Sequence, residues 1–261
     1  MPAMFGKATS LTLLAAGAAA TAVAGCGSSG KAHTTAAQQP AAATTTTAKS
    51  TPPYHPKIVP ADFSSHVTNP YFSLKPGMRR VYDGTKDGVP EHVVVTVSRA
   101  TRKITGVDCV IVNDVVTINN ALEENTTDWY AQDKQGNVWY FGEDSKDYKN
   151  GVVVSTQGTW EAGVDGALPG VVIHAKPAVG PTYRQEYRPG VAEDMAKVLT
   201  VTATQKVKAG TFHNTVLTLD TDPLNPDKVE HKWYARGVGM IHAIRIGGQH
   251  REEIKLVQAT G

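Results

Sequence analysis

DWYAQDKQGNVWYFGED, residues 128–144, is the stretch whose reading decides the fold. Five aromatics, Trp129, Tyr130, Trp139, Tyr140 and Phe141, crowd around Lys134-Gln135-Gly136-Asn137, with acids at either end. Aromatic residues favour strands, while Gly and Asn favour turns, so the stretch predicts a β-hairpin. With the turn centred on Gln135-Gly136, Asp133 faces Val138, Gln132 faces Trp139, Tyr130 faces Phe141 and Asp128 faces Glu143. Residues two apart share a face of a strand. Asp128, Tyr130, Gln132, Trp139, Phe141 and Glu143 are therefore expected on one side. Trp129, Ala131, Asp133, Val138, Tyr140 and Gly142 are expected on the other. Bulk on both faces suits a strand pair covered on each side or lining a cavity. Two carboxylates directly opposite each other destabilise a sheet. A bulge at Gly136 would shift the register by one and part Asp128 from Glu143. Without it, the pair would hold a cation or share a proton. Asp133 to Asn137 has part of the spacing of a calcium loop but lacks the full EF-hand series, and reads as a plain turn.

The same strand-and-turn grammar runs outward on both sides. Strands are expected at Arg79–Asp83, Glu91–Ser98, Val107–Ile118 and Glu123–Gln132, with turns at Asp87-Gly88, Thr105-Gly106 and Asn119-Asn120. Past the hairpin, Asn150-Gly151 is a strong turn dipeptide, and Val152–Ser155 and Thr159–Glu161 read as strands. Residues 163–180 are dense in Gly and Pro and predict a long loop with at most a short strand at Val171–Ile173. Tyr183–Tyr187 reads as one strand and residues 191–197 as one helical turn. Thr211–Leu219, Glu230–Ala235, Met240–Ile246 and Arg251–Val257 complete the series after a strand near 198–207. Roughly eleven short strands at near-regular spacing, without a helix of normal length, predict an all-β fold. Short connections favour a single antiparallel meander, and one this long must form a strongly curved sheet or barrel to hide its edges.

Residues 1–25 have the layout of a secretory signal: Lys7, an apolar run from Leu11 to Ala24, and small residues before a cut site. Val23-Ala24-Gly25-Cys26 matches the lipobox of bacterial lipoproteins. A diacylated Cys26 would carry the two chains that stable anchoring takes. Residues 26–57, rich in Ala, Thr, Pro and Ser, have the composition of a disordered tether, and residues 58–261 form the envelope domain. The expected partner is therefore the membrane, through Cys26, on the outer face of the bacterial cell membrane. With Cys26 lipidated, Cys109 has no disulfide partner. The net charge of +2 comes without long runs of one sign, which argues against a nucleic-acid surface.

The residues that could carry a ligand are Trp129, Tyr130, Trp139, Tyr140, Glu143, Arg184, Glu186 and His231, with Asp128 and Glu143 as a cation site if they pair. Arg184 and Glu186 are expected on one strand face. Glu143, Glu186 and His231 would make an acid–base or metal group if the fold brought them together. H-E-x-x-H, C-x-x-C, a phosphate-cradling glycine loop and G-x-S-x-G are all absent, so no cofactor and no catalytic residue is assigned. The motifs Asn69-Pro70-Tyr71-Phe72, Leu74-Lys75-Pro76-Gly77, residues 128–144, Trp160 to Gly166, Tyr183–Tyr187 and Glu230–Gly239 resemble those of a family of secreted bacterial proteins and lipoproteins, largely actinobacterial, with no assigned activity. The resemblance spans residues 65–246 and implies an all-β envelope domain. The expected function is a monomeric, membrane-anchored, non-enzymatic binding module for a small or apolar ligand or an envelope partner. The alternatives are an envelope hydrolase built on converging carboxylates with His231, or a purely structural domain.

Overall fold

The computed structural model describes residues 54–261. The signal segment 1–25, Cys26 and all but the last four residues of the tether 26–57 lie outside the described residues. A short 3-10 turn (Pro60–Asp62) leads into β1 (Phe63–Ser64), β2 (Arg79–Lys86), β3 (Val89–Ile104), β4 (Val107–Ile118), β5 (Ala121–Asp133) and β6 (Val138–Lys149). Five short strands follow: β7 (Val152–Ser155), β8 (Trp160–Glu161), β9 (Leu168–Ile173), β10 (Tyr183–Arg184) and β11 (Glu186–Tyr187). Long hairpins then resume with β12 (Met195–Val207), β13 (Gly210–Asp222), β14 (Asn225–Ala235), β15 (Gly239–Arg245) and β16 (Glu252–Thr260). The described residues thus hold sixteen strands where about eleven are expected from the sequence.

The turns explain why the hairpins form where they do. Asp87-Gly88, Thr105-Gly106, Asn119-Asn120 and Asn150-Gly151 all place two successive residues at positive φ, the conformation of a tight hairpin turn whose twist matches that of the strands. All pairings are antiparallel, in the order β10-β12-β13-β14-β15-β16-β2-β3-β4-β5-β6-β9-β11. The pairing of β16 with β2 wraps the meander round. The two ends of the order, β10 and β11, are neighbours in the chain on either side of Gln185. β10 bonds to β12 and β11 to β9, so a split strand brings the two edges together and makes the sheet a nearly closed barrel.

That split corrects the expectation of a single strand at Tyr183–Tyr187. It depends on Gly170, where a Cβ would lie 2.3 Å from the backbone carbon of Gln185. The expected helical turn at 191–197 is also absent, because the Arg188–Ala192 bridge and the start of β12 hold that segment extended. The strand in the glycine-rich loop begins at Leu168, since pairing with β6 and β11 recruits residues that local propensity leaves open.

Val67, Phe72, Leu74 and Met78 are buried. Phe72 packs edge-on against Tyr130 of β5 at 5.3 Å and lies 6.5 Å from Tyr234 of β14. Those strands are far apart in the sheet order, so the segment 67–78 sends its apolar side chains into the barrel while Thr68, Lys75, Pro76 and Gly77 stay exposed. With Tyr82, Val93, Val95, Val112, Val116, Ile254 and Leu256 it makes the apolar core, each side chain contributing about 2 kcal/mol of burial. The outward residues Arg79, Asp83, Thr85, His92 and Thr96 of β2 and β3 are exposed and polar.

Cys109 is the free cysteine of the described residues and is buried. Burial pushes its thiol up to about 12. It is expected to resist alkylation in the native protein and to react fully in denaturant, and rapid labelling at neutral pH without denaturant would contradict this.

Candidate functional site

The hairpin of β5 and β6 keeps Asp128 opposite Glu143 and Trp129 opposite Gly142, the register expected without a bulge at the turn. Nearer the turn the register moves by one, so that Tyr130 faces Tyr140 and Gln132 faces Val138. The extra residue is Phe141. The bulge therefore lies within β6 and not at Gly136, and the carboxylate pair survives. The face assignment is corrected in the same step, because Tyr140 moves to the side of Asp128 and Tyr130 while Trp139 moves to the side of Asp133. The Tyr130 and Tyr140 rings stack at 4.7 Å, and the Tyr140 hydroxyl donates to Asp128 Oδ1 at 2.5 Å. Asp133 accepts from the backbone and amide of Asn137 and from Trp139 Nε1, the bonding of a plain capped turn.

Two further strands complete the cluster. Trp160 of β8 lies opposite Glu143 and meets the Tyr140 ring edge-on at 5.4 Å. Its Nε1–H donates to Glu186 Oε2 of β11 at 2.8 Å. Asp128, Glu143, Glu186, Tyr130, Tyr140 and Trp160 are all at most 2 % exposed. Within this shell Asp128 Oδ2, both Oε atoms of Glu143, Glu186 Oε1 and the Tyr130 hydroxyl make no hydrogen bond to the protein. Burial without such bonds favours the neutral form of a carboxyl. Asp128 is pushed up to about 7, chiefly by burial, against the opposing Tyr140 bond. Glu143 is raised well above the ordinary range by burial and then by Glu186, Asp128, Glu124 and Asp194, all acidic. Glu186 is raised by burial and Asp194, with Lys228 opposing.

The opposite wall of the barrel is charged but balanced. Lys228, Glu230 and Lys232 point inward at period two along β14 and are buried. Lys232 contacts Asp220 at 3.1 Å and Glu230 at 3.3 Å, and Lys228 contacts Asp194 at 3.5 Å. On the β2–β3 side, Glu91 is pushed up to about 7 by burial beside Glu252 and Lys86. Cations thus accompany the carboxylates of β13 and β14, whereas the charged groups that act on Asp128 and Glu143 are carboxylates.

The remaining sequence-predicted residues lie elsewhere. Trp129 faces outward beneath the Arg102 guanidinium, 4.4 Å from its ring. It borders an outer cleft of about 330 Å³ that Glu143, Trp160, Glu161 and Arg188 also line. Trp139 is half-buried on the outside, edge-on to Phe63 at 5.9 Å. Arg184 sits over the Tyr187 ring at 4.6 Å and beside Glu193 at 3.6 Å. It does not share a face with Glu186, because the chain divides at Gln185. His231 alternates outward between inward Glu230 and Lys232 and stands edge-on to Trp233 at 5.8 Å. The group Glu143, Glu186 and His231 is therefore not assembled, which removes the histidine from the hydrolase alternative. Among the described residues no three His, Cys, Asp or Glu side chains stand at metal-site spacing.

Sequence reasoning missed Trp160, Asp194, Lys228 and Lys232. For the two lysines a signal exists in Lys228-Val229-Glu230-His231-Lys232, where charge recurs at every second residue of a strand.

No protein-family model and no curated protein matches the chain. Two solved structures are similar in fold. One is a protein of Bacteroides fragilis NCTC 9343 described as exported and YmcC-like in fold, at 14 % identity and TM-score 0.39, covering 73 % of this chain and 99 % of that one. The other is a protein of Parabacteroides distasonis ATCC 8503 described as a lipoprotein, at 11 % identity and TM-score 0.40, covering 73 % and 98 %.

Proposed function

We propose that this chain is an extracytoplasmic lipoprotein, anchored through Cys26 to the outer face of the bacterial membrane, that works as a non-enzymatic binding module. The ligand sits on the inner wall of the barrel at Asp128, Glu143 and Glu186, and it is small and polar, not apolar. The observation that carries this reading is Glu143, fully buried and with neither carboxylate oxygen bonded to the protein. A buried acceptor without a partner costs about 1–3 kcal/mol, more for a charged group. A structural barrel would be more stable with an apolar residue there, so an unpartnered acid at this position points to something it binds. The lipobox at Val23–Cys26 and the motif resemblance to secreted lipoproteins support the location.

Native mass spectrometry of the protein purified from its own envelope tests the binding reading. A retained small molecule is expected, reduced in the Glu143→Gln protein; a bare mass in both would sink the proposal. The anchor has a separate test. Cys26→Ala is expected to move the protein from the membrane fraction to the soluble fraction, and continued sedimentation with membranes would contradict lipidation at that residue.

A further inference from the structure

We propose that the molecule held at Asp128, Glu143 and Glu186 is an organic cation, an alkylammonium or diamine, and not a metal ion or an uncharged polyol. The inference rests on the binding reading above and adds the chemical class of the ligand.

Three features of the wall carry it. The first is the kind of group left over. Tyr140 occupies Asp128 Oδ1 and Trp160 occupies Glu186 Oε2. Asp128 Oδ2, Glu186 Oε1 and both oxygens of Glu143 remain. An ionised carboxylate only accepts, and an ammonium group only donates, through three N–H bonds. A polyol carries no charge to draw the protons off these acids and offset their ionisation, whereas an ammonium group does both. The second feature is spacing. A metal ion needs oxygens within about 2.0–2.6 Å, and no three acidic or other ligating side chains of the described residues are so placed. The oxygens come from β5, β6 and β11, which suits a molecule with length. The third feature is the lining between the acids. Tyr130, Tyr140 and Trp160 bring aromatic rings beside the carboxylates, and aromatic faces attract organic cations within about 6 Å.

Charge balance points the same way. Glu143 is acted on by Glu186, Asp128, Glu124 and Asp194, while Lys228 reaches Glu186 and Asp194 from β14. A bound dication supplies the counter-charge that the β5–β6 wall lacks. Because burial raises all three carboxyls, Asp128 to about 7, binding of a cation must displace protons, and affinity must rise with pH until the amine itself loses its charge.

The test is calorimetric titration of the full-length chain in detergent with 1,4-diaminobutane, with 1,4-butanediol as the uncharged comparator, and with Ca²⁺ and Mn²⁺. The diamine is expected to bind with proton release, about tenfold more tightly at pH 8 than at pH 6, a difference of about 1.4 kcal/mol. Glu143→Gln is expected to weaken it at least ~10-fold without lowering the melting temperature at pH 8. Glu186→Gln is a second variant should the first fold poorly. If the diol binds as well as the diamine, or Ca²⁺ or Mn²⁺ binds more tightly, the organic-cation class is overturned and a binding barrel still stands. If no probe binds, the molecule retained in native mass spectrometry decides: one without a basic nitrogen overturns the class, one with it supports it. If nothing binds and nothing is retained, the binding reading falls as well.

Discussion

Asp128→Asn is expected to stabilise the ligand-free domain by up to about 4 kcal/mol at pH 8 and by less than about 2 kcal/mol at pH 5. Burial raises the Asp128 carboxyl from its ordinary 3.8 to about 7, while in the unfolded chain it returns to the ordinary value. The folded state therefore holds the proton more tightly. Its stabilising effect is complete below the unfolded pKa and is lost progressively as pH rises to about 7, at about 1.4 kcal/mol for each unit. Asn is neutral at every pH, keeps an oxygen to accept from Tyr140, and turns an N–H donor toward the acids around it.

The same sign applies to Glu91, Glu143, Glu186, Asp194 and Glu252, all raised first by burial. Glu230, Asp87 and Glu253 are lowered, so they contribute stability that disappears only in acid. Lys228 and Lys232 are raised by the surrounding carboxylates, and their contribution is lost only in strong alkali. Between pH 5 and 8 the raised carboxyls act against His174, His231 and His242, which burial lowers and which favour folding as pH rises. The acids are more numerous and more deeply buried, so the wild-type protein should lose stability as pH rises. Urea titrations at pH 5, 6, 7 and 8 in amine-free buffer decide the matter. A variant no more stable than wild type at pH 8 would show that Asp128 is not strained by ionisation.

How much of this was legible in the sequence differs from residue to residue. Asn119-Asn120 and Asn150-Gly151 announce tight turns because few residues tolerate positive φ, and the strands between such pairs followed. The count back from the turn offered Asp128 opposite Glu143 but left open a bulge at Gly136 that would part them. The bulge at Phe141 was not, because it depends on a neighbour, β8, that lies across the sheet. His231 and Lys232 differ by one residue and hence by face, and only the buried partners Asp220 and Glu230 show which of them points inward. Closure at Gln185 was illegible for a similar reason. It needs β9 and β12 already in place, with Gly170 of β9 offering no side chain where Gln185 passes, and neither strand is near the other in sequence.

Gly142 is where these two levels meet, and Gly142→Ala is expected to destabilise the protein by at least about 3 kcal/mol. The residue has φ +135, and a Cβ there would lie 2.3 Å from the Trp160 carbonyl oxygen and 2.9 Å from Glu161 Cα. Both obstacles are backbone, so no rotamer change relieves them. β6 cannot yield easily, since its other edge is bonded to β5 through the pair Trp129 and Gly142. β8 is only two residues long and is the element that must move. Its displacement pulls Trp160 Nε1 from Glu186 Oε2 and the indole edge from the Tyr140 ring, which opens the carboxylate cluster toward the outer cleft that Trp160 lines. Two readouts should therefore change together: the urea midpoint falls, and the tryptophan emission of the folded protein shifts to longer wavelength as Trp160 gains water. A variant with an unchanged midpoint and emission would mean that β8 does not close the wall behind Glu143, and that the bulge at Phe141 has some cause other than the missing side chain at Gly142.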